Sequence, residues 1–259
     1  MTEKSITVYK RFGETPLECV GRLRAWNPKY TYATLGYAGR LDPMAEGVLV
    51  ILVNDENKQR EEYLSLSKEY VVDILFGFES DTYDILGLVA NTKNTAFASA
   101  DALVQMAREK IALFVGVREQ EYPPFSSKPV QGIPLFQWAR EGKISSITIP
   151  CRKIEIYFCE FLGSRQILRE ACRRRIMYAF SLVTGDFRQK DIKERWSEVL
   201  GNTEDVSFPV VKMRLGCSSG TYVRSIAHEL GKMLGIGALA LRIVRTKVGT
   251  ARLRDALRL

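Results

Sequence analysis

The chain has 259 residues, 46% of them hydrophobic, which is enough for a sizeable core, and its 38 Lys and Arg against 30 Asp and Glu give a formal charge of +8 that suits a polyanionic partner. No apolar segment approaches the roughly 20 residues that span a bilayer, and the polar N-terminus with Glu3 and Lys4 lacks a signal-peptide core, so a soluble, cytoplasmic protein is expected. Five widely spaced cysteines without a C-x-x-C pair, and a single histidine, argue for free thiols and against a zinc site.

Ile6 to Lys10 alternates as a short strand, and Arg11 to Pro16 reads as a turn before an amphipathic helix carrying Leu17, Val20, Leu23 and Arg24. Val48 to Val53 predicts a fully buried strand, Lys68 to Phe78 a second strand, and Glu79 to Gly87 a polar connection. Ser99 caps a helix with Leu103, Met106, Ala107, Lys110 and Phe114 at helical spacing and Gly116 as its stop. Pro123, Pro124, Pro129, Gly132 and Pro134 stiffen a long loop before a short helix at Phe136 to Arg140. Lys153 to Phe161 alternates as a strand. Gly163 to Leu200 reads as two helical stretches flanking Gly185, the first with Ile167, Leu168, Ala171, Ile176 and Phe180 on one side and its arginines largely elsewhere. Phe208 to Leu215 returns to strand. The next helix carries the stripe Val223, Ile226, Ala227, Leu230 and Leu234, ended by Gly235, and Ala238 to Val248 closes as an apolar and basic run. With no internal repeat and no linker, one mixed domain over residues 1–259 is the simplest organisation.

The stretch Gly36 to Val53, G-Y-A-G-R-L-D-P-M-A-E-G-V-L-V-I-L-V, carries the chemistry. Gly36 and Gly39 allow a tight bend and close approach to a ligand, and Pro43 stiffens the backbone after the bend. Asp42 between them reads either as a nucleophile or as the N-cap of a one-turn helix with Pro43 at its first position and Gly47 at its end.

The block G-Y-A-G-R-L-D-P-M-A-E-G-V-L resembles the signature of the TruB-type tRNA pseudouridine synthases, G-H-x-G-x-L-D-P-x-A-x-G-x-L. Further blocks follow in family order: K-E-Y-V-V at Lys68 to Val72 with D-T-x-D at Asp81 to Asp84; Q-E-Y-P-P-F-S-S with G-I-P-L-F-Q-W-A-R-E-G; S-S-G-T-Y-V-R-S-I-A at Ser218 to Ala227; and R-T-K-V-G. The resemblance implies an α+β pseudouridine synthase fold, a mixed, largely antiparallel sheet flanked by helices and loops. It makes Asp42 the catalytic nucleophile, Tyr70 the tyrosine that stacks on the flipped uracil and moves a proton, and Arg224 the partner of the aspartate. Tyr222 becomes a wall of the base pocket and Ile243 a side chain packing on the base. Gly39, Arg40, Lys68 and Lys128 join Tyr37 as substrate contacts by position in the motifs. The implied reaction isomerises uridine to pseudouridine in tRNA, at uridine-55 of the T loop, by a monomer with no cofactor and no metal. A tRNA-folding chaperone with dispensable catalysis, or the same isomerisation on another RNA, are the alternatives.

The chemistry accounts for these residue types. A carboxylate is needed to attack or to stabilise a sugar cation, an arginine keeps it ionised in a dry site, and aromatic rings offset the cost of taking the base out of its stack.

Several positions depart from the family pattern. Tyr37 replaces the usual histidine of G-H-x-G and cannot carry its positive charge. Lys10, Gly13 and Thr15 fit K-P-x-G-x-T-S, but Arg11 and Pro16 do not. Lys128 comes one residue before the usual lysine of the RNA-clamping loop, and Pro129 takes that place. The family commonly carries a C-terminal PUA domain, which this sequence is read as lacking, while residues 163–205 form a basic helical insertion. Arg173, Arg174 and Arg175 are its candidate RNA contacts. His228 is expected on the surface, and Asp81 and Asp84 in a structural turn rather than a metal site.

Overall fold

The computed structural model describes residues 4–91, 99–185, 187–201 and 206–259. Their order is β1 (Ser5–Lys10), α1 (Pro16–Trp26), β2 (Leu35–Ala38), β3 (Ala45–Val53), α2 (Arg60–Ser65), β4 (Lys68–Phe76), β5 (Phe78–Ser80), β6 (Val89–Asn91), α3 (Ala100–Ala112), β7 (Gly116–Glu121), β8 (Pro129–Val130), β9 (Ile133–Pro134), α4 (Leu135–Arg140), β10 (Cys151–Leu168), α5 (Arg169–Leu182), α6 (Gln189–Leu200), β11 (Ser207–Cys217), α7 (Val223–Met233), β12 (Ala238–Val248) and β13 (Ala251–Arg252).

Seven strands run side by side as β1-β3-β12-β4-β11-β10-β7, with β2 on β3 and β13 on β12. Every pairing is antiparallel except β12 with β3. This is the mixed, largely antiparallel sheet that the motif resemblance implies. Alternation along the strands divides two cores. Val72, Ile74, Met213 and Leu215 pack with α3 and α7 on one face, and Leu75, Val210, Leu239 and Leu241 pack with α5 and α6 on the other. At the β1–β3 edge, Ile6, Val8, Leu49 and Ile51 meet Cys19, Val20 and Leu23 of α1.

Local signals explain most element boundaries. Thr15 and Glu18 form a reciprocal capping box with Pro16 opening α1, and the Ser99 hydroxyl accepts from the Ala102 amide at the start of α3. The stripe of α7 is buried as expected. Leu17, by contrast, is 71% exposed, because Cys19 takes the inward position on α1.

The structure corrects four further expectations. Asp42 caps no helix: the chain makes one turn and enters β3, where Gly47 lies inside the strand. Gly47 has φ of 109°, opposite Arg245 of the parallel partner, and a Cβ there would run into the Arg245 carbonyl oxygen. Lys68 to Phe78 is interrupted at Gly77, and β5, paired with β6, takes the first two residues of the predicted polar connection, Glu79 and Ser80. Gly116 opens β7 rather than closing α3, which ends at Ala112. Gly163 to Leu168 continues β10, its backbone paired with residues 207–212 of β11, so helix begins only at Arg169. The far end of the inserted segment, residues 202–205, lies outside the described residues.

Candidate active site

Asp42 stands on the turn into β3. The Ala45 amide donates to the Asp42 carbonyl at 3.0 Å, and the Gly13 amide donates to the Pro43 carbonyl at 2.8 Å, pinning the turn to the segment before α1. Its side chain is 45% exposed, whereas that of Arg224, which it meets, is only 5% exposed; Arg224 Nε lies 3.0 Å from Asp42 Oδ2. The two Nη atoms of Arg224 donate to the carbonyls of Thr82 and Phe125, each at 2.8 Å. Burial pulls the guanidinium pKa down, but the carboxylates of Asp42 and Asp84 outweigh it and the net shift is upward. A fixed positive charge therefore faces a carboxylate that remains open to a ligand.

Leu41 and Met44, flanking Asp42 in sequence, share one apolar floor with Tyr70 and Ile243, and Asp42 is near enough to Tyr70 to act on its phenol. Ile243 is set beside Ala45 by the parallel pairing and beside Val72 by the antiparallel one. Burial pushes the Tyr70 phenol up to about 12, so its hydroxyl is protonated at neutral pH and can donate. The Tyr222 ring lies 5.7 Å from the Arg224 guanidinium carbon. Gln120 fixes Tyr222 by its backbone, accepting from the amide at 2.8 Å and donating to the carbonyl at 3.2 Å. Tyr122 packs edge-on against Tyr222 with centroids 5.6 Å apart, and Lys128 Nζ sits 5.5 Å from the Tyr122 ring. Lys128 thus connects to the pair through two tyrosines.

Gly39, Arg40 and Lys68 converge on Arg245. This fully buried arginine donates from Nε to the Val48 carbonyl at 2.7 Å and from its Nη atoms to the carbonyls of Arg40 and Gly39, each at 3.3 Å. Gly39 has φ of 79°, and a Cβ there would approach Arg245 Nη1 to 3.7 Å. Lys68 Nζ donates to the Leu64 and Leu66 carbonyls, and burial, with Arg245 nearby, lowers its pKa to about 8.

Other expected contacts stand elsewhere. Tyr37 packs toward the α1 core, with the Arg60 guanidinium carbon 5.8 Å from its ring. On α5, Arg173 donates to the Gly201 carbonyl, Arg175 is half-buried, and Arg174, 71% exposed, stays within 3.8 Å of Glu170.

His228 corrects the surface expectation. It is 9% exposed and stacks on Tyr83 with ring centroids 3.9 Å apart and planes 9° from parallel, and burial lowers its pKa to about 4. Asp84 does serve a turn, accepting from Thr82 Oγ1 and the Leu86 amide, each at 2.8 Å. Burial raises it to about 6 despite the opposing Arg224 charge.

Sequence reasoning did not assign roles to Arg245, Lys10 or Gln120. Inward parity with Ile6 and Val8 flags Lys10, whose Nζ donates to the Ala45 carbonyl at 2.6 Å behind the Asp42 turn; burial lowers its pKa to about 8. Arg245 shares β12 with Arg242 and Lys247, so no lone charge marks it out in the sequence. Gln120, in a strand no pattern predicted, carried no signal.

Residues 28–175 match the family model described as TruB family pseudouridylate synthase (N terminal domain). The chain belongs to the TruB family. Among similar TruB-family sequences, a tRNA pseudouridine synthase B of Thermotoga petrophila is 31% identical over 252 residues, covering 97% of this chain and 65% of the relative. The same-named protein of a Nostoc species is 29% identical over 256 residues, 98% of this chain and 70% of the relative. The chain therefore spans about two thirds of the length of the curated relatives it matches. The fold also resembles a chain in a solved Cbf5-Nop10-Gar1 complex, at 20% identity and a TM-score of 0.53, covering 95% of this chain and 49% of that one. Among the described residues no helix is long and apolar enough to cross a membrane, and no group of three or more His, Cys, Asp or Glu is placed to hold a metal.

Proposed function

We propose that this chain isomerises uridine to pseudouridine in tRNA, at uridine-55 of the T arm, as a cytoplasmic monomer. It does so as a single catalytic domain in which residues 163–205 are an insertion. The observation that carries the reading is the Asp42–Arg224 pair, a half-open carboxylate held by a buried guanidinium beside the floor of Tyr70 and Ile243. The N1–C1′ bond breaks, the base turns, a C5–C1′ bond forms, C5 gives up its proton and N1 gains one. Atoms balance within the nucleotide, so no cofactor enters. Asp42 supplies the carboxylate that attacks or stabilises the electron-poor intermediate, and Arg224 is its charge partner. Tyr70 and Tyr222 supply the aromatic walls for a base out of its stack, and the protonated Tyr70 hydroxyl supplies a donor.

The names of the relatives support tRNA as the substrate. Incubating the protein and its Asp42→Asn variant with unmodified tRNA, and mapping pseudouridine chemically at single-nucleotide resolution, tests the reading. Wild type should modify one T-loop uridine and the variant none. No wild-type product on tRNA refutes the activity, product elsewhere refutes the site, and an active variant removes Asp42 from its role. Binding without any product would favour a folding chaperone.

Arg174 is the arginine of its cluster that faces solvent, and we assign it the RNA contact. Arg174→Ala should reduce the salt slope of tRNA binding by about one.

A further inference from the structure

The two carbonyls that hold Arg224 belong to separate loops, residues 81–88 and 122–128, and one side chain of the inserted segment touches both. Arg188, the residue preceding α6, places Nη1 2.8 Å from Asp81 Oδ2, next in sequence to Thr82, and its guanidinium carbon 4.4 Å from the centre of the Phe125 ring. The other Asp81 oxygen accepts from the Leu88 amide at 2.8 Å, closing the first loop on itself. Further along α6, Trp196 Nε1 donates to the Ile85 carbonyl at 3.0 Å and Arg195 Nε to the Val89 carbonyl at 2.9 Å. Arg188 and α6 together hold the first loop at Asp81 and Ile85 and the start of β6 at Val89, and Arg188 also stacks on the second loop. Trp196 is fully buried, so this grip belongs to the core rather than to a surface rearrangement.

Resting on the proposed isomerase reading, we propose that Arg188 is a positioning residue. By locking the Thr82 and Phe125 carbonyls relative to each other, it fixes the direction from which Arg224 meets Asp42. The inserted segment then serves the reaction centre as well as any RNA contact it makes. An arginine suits the task because its planar group stacks on an aromatic face while one edge pairs with a carboxylate, a combination a lysine cannot reproduce.

Single-turnover kinetics of full-length Arg188→Ala, Arg188→Lys and Asp81→Asn on unmodified tRNA, with tRNA affinity measured across salt concentrations, tests the proposal. The rate at saturating enzyme should fall about tenfold or more in Arg188→Ala, because small misplacements of a catalytic group are costly in rate. Asp81→Asn should lose rate likewise, and Arg188→Lys should recover it only in part. Affinity and salt slope should match wild type. An unchanged rate overturns the proposal. So does an intact rate with a salt slope smaller by about one, which would make Arg188 an RNA contact. If Arg188→Ala does not fold, Asp81→Asn reads the same lock from its other side. Wild-type protein that yields no product refutes the isomerase reading and this inference with it, whereas active wild type with unaffected variants refutes the inference alone.

Discussion

Two buried groups beside the Asp42–Arg224 pair titrate in opposite senses, and their variants should show it. His228 is lowered from 6.5 to about 4 by burial, then by Lys232, and Asp84 is raised from 3.8 to about 6 by burial against Arg224. For His228 the folded pKa is depressed, so its contribution is complete above pH 6.5 and lost as the pH falls through 4. For Asp84 the folded pKa is raised, so its contribution is complete below pH 3.8 and lost as the pH rises through 6. Each shift corresponds to about 3 kcal/mol, so between pH 7 and 4 the two nearly cancel in the wild type. His228→Phe keeps a ring against Tyr83 but cannot take a proton. Relative to wild type it should gain about 3 kcal/mol on going from pH 7 to 4. Asp84→Asn should lose about as much over the same range, and the double variant should run parallel to wild type. Urea unfolding at intervals between pH 4 and 7 measures this. Single-variant profiles parallel to the wild type would refute the reasoning.

Arg224→Lys leaves at least one of the Thr82 and Phe125 carbonyls without its donor and loosens the ion pair; we expect about 3 kcal/mol of lost stability by denaturant titration, with a rate at least a hundredfold lower. Gly47→Ala forces a side chain into a left-handed position facing the Arg245 carbonyl and should cost at least about 2 kcal/mol, read as a lowered Tm. Trp196→Ala empties the core beneath α6 and removes its bond to Ile85, so a loss of about 3–5 kcal/mol is expected, together with reduced isomerisation.

The parts of the fold legible in the sequence were those set by local rules. The α7 stripe, the Ser99 cap and the alternation of β1 depend on near neighbours, and the structure has them where the sequence puts them. The failures share a cause: a distant partner decided the local structure. Asp42-Pro43 has the pattern of a helix start, but the chain there is drawn into β3 by residues 243–245 of β12. Residues 163–168 could be taken into the following helix, yet β11 holds them as strand. His228 lay off the apolar stripe of α7 and was placed outside, but α7 is buried on nearly every side, so the stripe no longer distinguishes in from out. At the site, motif resemblance pointed to Asp42 and Arg224, which the structure pairs, and to Tyr222 and Tyr70 near them. It was silent about those that hold them. Arg245, Gln120 and Lys10 act through backbone carbonyls and amides, which leave little trace in a sequence.

The order of the sheet has a consequence for how the protein becomes competent during its own synthesis. Among the described residues, β12 is the sole strand joining β1, β2 and β3, which lead to Asp42, to β4, which carries Tyr70. Arg224 and Arg245 also come from the last quarter of the chain. A ribosome therefore releases the aspartate long before the residues that orient it, and until β12 slides between its two neighbours the carboxylate has neither partner nor floor. Partly made or stalled chains would carry the signature motif without the Asp42–Arg224 pair, which is complete only in molecules whose sheet has closed around that last long strand.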